Sequence, residues 1–93
     1  MNFPLILYKV IGSSMSPTHQ SQDFLIGWRW FRPKVGKVVV AKTDRLVIKR
    51  VMKIDGDRVW LEGDNSIAST DSRHIGWIPR EKVKAKIIRS FRS

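Results

Sequence analysis

The sequence predicts an all-β domain, and three observations predict it. Apolar runs are short, rich in β-branched residues and broken at near-regular intervals by turn formers, which is the pattern of strands rather than helices. An Asp55-Gly56 step separates two such runs where a tight hairpin needs it. Helical periodicity is almost absent: "PREKVKAK", residues 79–86, would support one turn, yet Val83, Ile87 and Ile88 suit a strand equally well. A chain of 93 residues has room for one domain, taken as 1–93, built on one small core.

Strands are expected at residues 5–11, 24–30, 37–42, 45–54, 58–62 and 82–88. The apolar stretch of the first, residues 4–8, is far short of the ~20 residues that cross a bilayer, and no basic segment precedes it. It reads as a strand, and the protein as soluble and cytoplasmic. "GSSMSPT", residues 12–18, is a glycine turn followed by a large apolar anchor, Met15. "FRPKVGK", residues 31–37, is a loop, because Pro33 cannot donate to a ladder and Gly36 precedes the next strand. Thr43-Asp44 turns one hairpin. Asp55-Gly56 turns another, supplying the two positive-φ positions of a type I′ turn. Residues 63–79 are the longest aperiodic stretch, crowded with Ser, Thr, Asp and Asn, and a loop of that length in so small a domain points to function. "KAKIIRSFRS" closes the chain as a solvated basic strand end.

Eighteen Lys and Arg against eight Asp and Glu give a net charge of +10, an affinity for polyanions that does not choose among nucleic acid, anionic lipid and acidic protein. The absence of cysteine excludes disulfides, thiolate metal sites and a cysteine nucleophile. Two distant histidines, His19 and His74, argue against a zinc site, and no cofactor or metal is called for.

Ser14 stands out among nine serines because Met15 would anchor its loop and leave the hydroxyl at the rim, beside backbone N–H groups able to hold an oxyanion. A serine nucleophile needs a base. His19 lies in the same loop, and His74 lies near Asp71, so a Ser-His-Asp arrangement is one option. Lysine is the other, provided it is desolvated. Strand alternation puts Lys49 on one face with Val47 and Val51, the apolar setting such a base requires. Arg50 then faces the other way with Ile48 and Met52, in want of a carboxylate from Asp64 or Asp71. "WRWF", residues 28–31, suits base stacking, a membrane interface, a peptide groove or simple core packing.

Taken in order, four segments resemble the type I signal peptidase family of serine endopeptidases. "GSSMSPT" resembles its serine box, "VGKVVV" its short Gly-Asp-Val-Val strand, "VIKRVMKIDGD" its lysine box and "GDNSIASTDSR" its terminal box. The resemblance implies a small coiled antiparallel sheet or partly open barrel, related to the self-cleavage domain of SOS-response repressors. It implies Ser14 as nucleophile, Lys49 as general base and Ser69 as the residue that orients the lysine. The backbone N–H of Ser14 would serve the oxyanion hole, since Gly12 stands where some members offer a second hydroxyl. Arg50 with Asp64, and Asp71 with Arg73, would be structural ion pairs. Lys37 departs from the usual Asp after Gly36, and His19 from the usual Leu after Pro17-Thr18.

The family's N-terminal transmembrane anchor has no counterpart here, and the link from lysine box to terminal box is one tight hairpin. Both features, with the Arg73-His74-x-Gly76 continuation, resemble a short soluble branch that matures nickel-type superoxide dismutase. The implied partner is a precursor protein whose short N-terminal leader binds as an extended strand, with no obligate nucleic acid. Two rivals remain: a secretory signal peptidase held peripherally on anionic membrane through Trp28, Trp30 and basic residues, and a non-enzymatic basic β-domain that binds nucleic acid.

Overall fold

The computed structural model describes residues 4–12, 14–65 and 76–92. They form seven antiparallel strands in one sheet that curls strongly into a half-barrel, with a single 3-10 turn as the one helical element among the described residues. The strands are β1 (Leu5–Lys9), β2 (Phe24–Trp28), β3 (Val38–Lys42), β4 (Leu46–Asp55), β5 (Arg58–Glu62), β6 (Ile78–Pro79) and β7 (Val83–Phe91). They lie in the order β1-β2-β7-β3-β4-β5-β6. The expected all-β class holds, and the final strand enters the middle of the sheet rather than extending an edge.

That insertion explains the unbroken apolar run of β3. Placed between β7 and β4, its residues Val38, Val39, Val40 and Ala41 are all buried, so both faces must be apolar and alternation disappears. Val39 and Ala41 join Val51, Val59, Leu61, Ile78 and Val83 in the main core, with Phe31 and Val47 packed against it. Val40 lies on the opposite face, paired across to Ala85. Val10, Met15, Leu25 and Ala85 are also buried, at 4% exposure or less. Each buried Val, Leu, Ile or Met side chain contributes about 1.5–3 kcal/mol. Gly27 permits the closest approach here, since a Cβ at that position would stand 2.8 Å from Tyr8 and 3.0 Å from Ala85.

Several boundaries differ from the sequence expectation for local reasons. The first strand ends at Lys9, and the chain then turns through Gly12 at φ +90°, a conformation that a side chain would strain. The second ends at Trp28, where the ring of Trp30 meets that of Trp28 edge to face at 6.0 Å. The hairpin between β4 and β5 turns at Gly56-Asp57 rather than Asp55-Gly56, because Asp55 pairs with Arg58 as the last rung of the ladder. Gly56 alone carries positive φ, at +59°, so the type I′ expectation gives way to a turn that needs one glycine at its first central position. The other hairpin uses three residues, 43–45, closed by a Thr43 N–H to Arg45 carbonyl bond of 2.9 Å. Within the polar stretch 63–79, Ile78 and Pro79 form a short strand on β5 that alternation did not reveal.

Candidate active site

Ser14 sits in a turn that four contacts hold in place. Met15 is 1% exposed and plugs the loop into the core. Its carbonyl accepts the His19 N–H at 2.9 Å, closing one turn of chain. The Ser14 carbonyl accepts the Asn65 N–H at 2.8 Å, and the Asp64 N–H lies 3.4 Å from the Met15 sulfur. The serine loop is therefore stitched to residues 64–65, about fifty residues further along the chain, and Ser14 is left half-buried at the wall of a groove.

The groove measures about 550 Å3. One wall is the run 7–12 leading into Ser14 and Met15, and the other is 45–48 on the start of β4, with Val40 between them. Lys49 follows directly after the second wall and is only 4% exposed. Its partner across the ladder is Val39, which puts it on the face of Val47 and Val51. Lys49 belongs to the same strand that lines the groove, one residue beyond it.

Arg50 faces the opposite way, paired across to Val38 and Glu62. Its guanidinium grips Asp64 through two bonds, 2.9 Å from Nε and 2.8 Å from Nη2, and donates a third to the Gly36 carbonyl at 2.7 Å. Thr18 donates to the same carboxylate at 2.6 Å. Asp64 thus ties β4 to the serine loop. The Arg50 hydrogen bonds hold its carboxyl below the usual range, opposed by partial burial and assisted by Thr18. Arg50 is raised in turn, first by the same bond. Because neither side chain is more than 28% exposed, the forked pair falls among charge-assisted bonds of about 1.5–3 kcal/mol.

His19 is 9% exposed, and its Nδ1 is buried without a hydrogen-bond partner among the described residues. Burial pushes its pKa down, the Arg50 charge pushes it further, and Asp23 and Asp64 pull the other way. It closes the serine loop's turn within electrostatic reach of the Arg50–Asp64 pair. Ser69, Asp71, Arg73 and His74 lie outside the described residues.

Sequence reading left several contributors unnamed. Thr18 and the Gly36 carbonyl complete the grip on Arg50 and Asp64, and Asn65 secures Ser14. Thr18 carries a signal as the last residue of the serine motif. The bonds from Asn65 to Ser14 and from Arg50 to Gly36 involve main-chain atoms, which no residue type announces.

A family model described as Peptidase S24-like matches residues 2–83. The chain is also 30% identical over 110 aligned positions to the mitochondrial ATP-independent inner membrane protease subunit 1a of Arabidopsis thaliana. That alignment covers 85% of this chain and 66% of the plant protein, so the chain spans just under two thirds of its relative.

Proposed function

Since the chain belongs to the Peptidase S24-like family, we propose that it is a serine endopeptidase in which Ser14 is the nucleophile and Lys49 the general base. The observation that supports this reading is the groove lined by 7–12, Ser14 and 45–48, with the buried Lys49 next along β4. A lysine acts as a base only as the neutral amine, the form that burial favours. Neutral Lys49 takes the Ser14 proton, the oxygen attacks the scissile carbonyl, and the N–H of Ser14 donates to the oxyanion. The ammonium then protonates the leaving amine, and water activated by the same lysine releases the acyl group. Ser69 orients the amine. The Arg50–Asp64 grip ties the serine loop to β4, and the family resemblance assigns Asp71 and Arg73 a second pair.

The substrate is a precursor protein, its leader laid in the groove as an extended strand with main-chain hydrogen bonds to the walls. The tight hairpin between lysine box and terminal box and the Arg73-His74-x-Gly76 continuation, which resemble the soluble branch, support nickel-type superoxide dismutase as that precursor. The test is incubation with such a precursor and mass measurement of the product. Removal of a short leader by the wild type, but not by Ser14→Ala or Lys49→Ala of unchanged fold, is expected. Cleavage by either variant would sink the dyad. Loss of activity in His19→Gln with Lys49→Ala still active would instead make histidine the base.

A second reading, a peptidase working at a membrane surface, draws on the name of the plant relative, which places that protein at an inner membrane. No helix among the described residues is long and apolar enough to cross a bilayer.

A further inference from the structure

The net charge of this protein is not spread over it. Residues 24–43 and 82–93 together hold ten of the eighteen cations and none of the eight acids, so the eight cations elsewhere are matched one for one and the whole +10 excess belongs to these two stretches. The fold brings them together. β7 pairs with β2 on one side and β3 on the other, and Lys86 stands opposite both Trp28 and Val39.

A cleft of about 500 Å3 opens at this junction. Four cations line it, Arg32, Lys34, Lys37 and Lys86, with the rings of Phe31 and Pro33 beside them and Val39 at its floor. No carboxylate lines it, and none of the four makes a salt bridge among the described residues. Lys86 is half-buried all the same. Crowding like charges without a counter-charge costs free energy, which a bound anion recovers.

The sheet register shows what lies next to the cleft. The row that contains Lys86 continues through Trp28 to Leu5 on the edge strand, with Trp28 against the ring of Trp30. Trp30 is 62% exposed and Leu7, two residues along from Leu5, is 63% exposed. Cations, then indoles, then bare aliphatic side chains is the order in which a bilayer presents phosphate, interface and acyl chain. Nucleic acid has no use for the aliphatic end of that row.

We propose that this cleft is a binding site for the phosphate of an anionic phospholipid, and that Trp28, Trp30, Leu5 and Leu7 enter the interface beside it. Docking so places Leu7, which also lines the groove, at the membrane surface. Such docking deepens the reading of a peptidase working at a membrane surface, but the cleft does not include Ser14, so Ser14→Ala protein should bind as the wild type does.

Co-sedimentation of the full chain with vesicles tests it. Binding to phosphatidylcholine vesicles containing phosphatidylglycerol, and not to phosphatidylcholine alone, is expected. Two lysines near an anionic surface are together worth about thirtyfold in affinity, so the Lys34→Gln/Lys86→Gln variant should lose about that much. Lys53→Gln/Arg58→Gln removes the same charge from the β4–β5 hairpin and should stay within about twofold, being screened from the surface. Trp30→Ala should weaken vesicle binding without affecting glycerol 3-phosphate, the soluble counterpart of the headgroup. Equal losses in the two double variants would show diffuse charge and overturn the site. Glycerol 3-phosphate binding as tight as vesicle binding, with no effect of Trp30→Ala, would make the ligand a free phosphate. Single-stranded DNA binding without vesicle binding would make it nucleic acid, and either result would overturn the lipid proposal.

Discussion

Arg50 and Lys86 are both cations on interior strands of one sheet, and they are treated in opposite ways. Arg50 spends three hydrogen bonds on Asp64 and the Gly36 carbonyl, joining the serine loop, β4 and the loop before β3. Lys86 shares a cleft with three further cations and no carboxylate. The difference teaches where this small domain uses charge to hold itself together and where it keeps charge available for something else. On the paired side, electrostatics are internal and stabilising. On the unpaired side they await an external anion.

The largest expected effect would separate the two sides by function. Ser14→Ala should lower precursor cleavage on the order of 10^4-fold or more, as loss of a nucleophile does, and leave vesicle binding unchanged, whereas Ser13→Ala should retain cleavage. A parallel loss of both properties would mean that the two regions are one site. Next comes Asp64→Asn, which removes a charge from the grip on Arg50 and should cost about 2 kcal/mol. For a chain of this size that reads as a thermal midpoint lowered by roughly 8–16 °C. A midpoint within the error of the wild type would show that the paired side owes its cohesion to packing alone.

Acidification should break the paired side in two steps. His19 is held below its ordinary 6.5 chiefly by burial, so the fold favours the neutral ring. Its contribution is complete above 6.5 and declines as pH falls below that value toward the folded pKa. Asp64 is held below 3.8 by the Arg50 bonds, so its contribution is intact above 3.8 and is lost as pH falls further. Denaturant midpoints followed against pH should show both declines, with His19→Gln removing the first and Asp64→Asn the second. The smallest effect belongs to the unpaired side. Lys34→Gln/Lys86→Gln should change stability by no more than about 0.5 kcal/mol, since no internal partner is lost. A large fall in its thermal midpoint would reveal a structural role for those lysines.

The legibility of the chain followed the same division. Short β-branched runs announced nearly every strand, and period-two alternation placed Lys49 with Val47 and Val51, away from Arg50, as the ladder does. Strand ends were less legible because they depend on events outside the strand, such as the positive φ of Gly12 after β1 and the Asp55–Arg58 rung that moves the hairpin turn by one residue. The two-residue β6 carries too little pattern to be seen, and Pro79 argues against it until β5 is there to receive it. At the site, the residue types and their order singled out Ser14, Lys49, Arg50 and Asp64. The burial of His19 was hidden, because a histidine at the end of a polar turn reads as exposed from its neighbours in sequence.

By itself the sequence determined the class of fold, the residues competent for chemistry and the size of the charge excess, because period, residue type and composition are local properties. Only the tertiary structure decided that β7 enters between β2 and β3, that Asn65 secures Ser14, and that the two acid-free stretches meet at one cleft. Those facts depend on which distant segments become neighbours. Packing of the whole sheet chooses them, through main-chain bonds and buried surface that no single stretch of residues encodes.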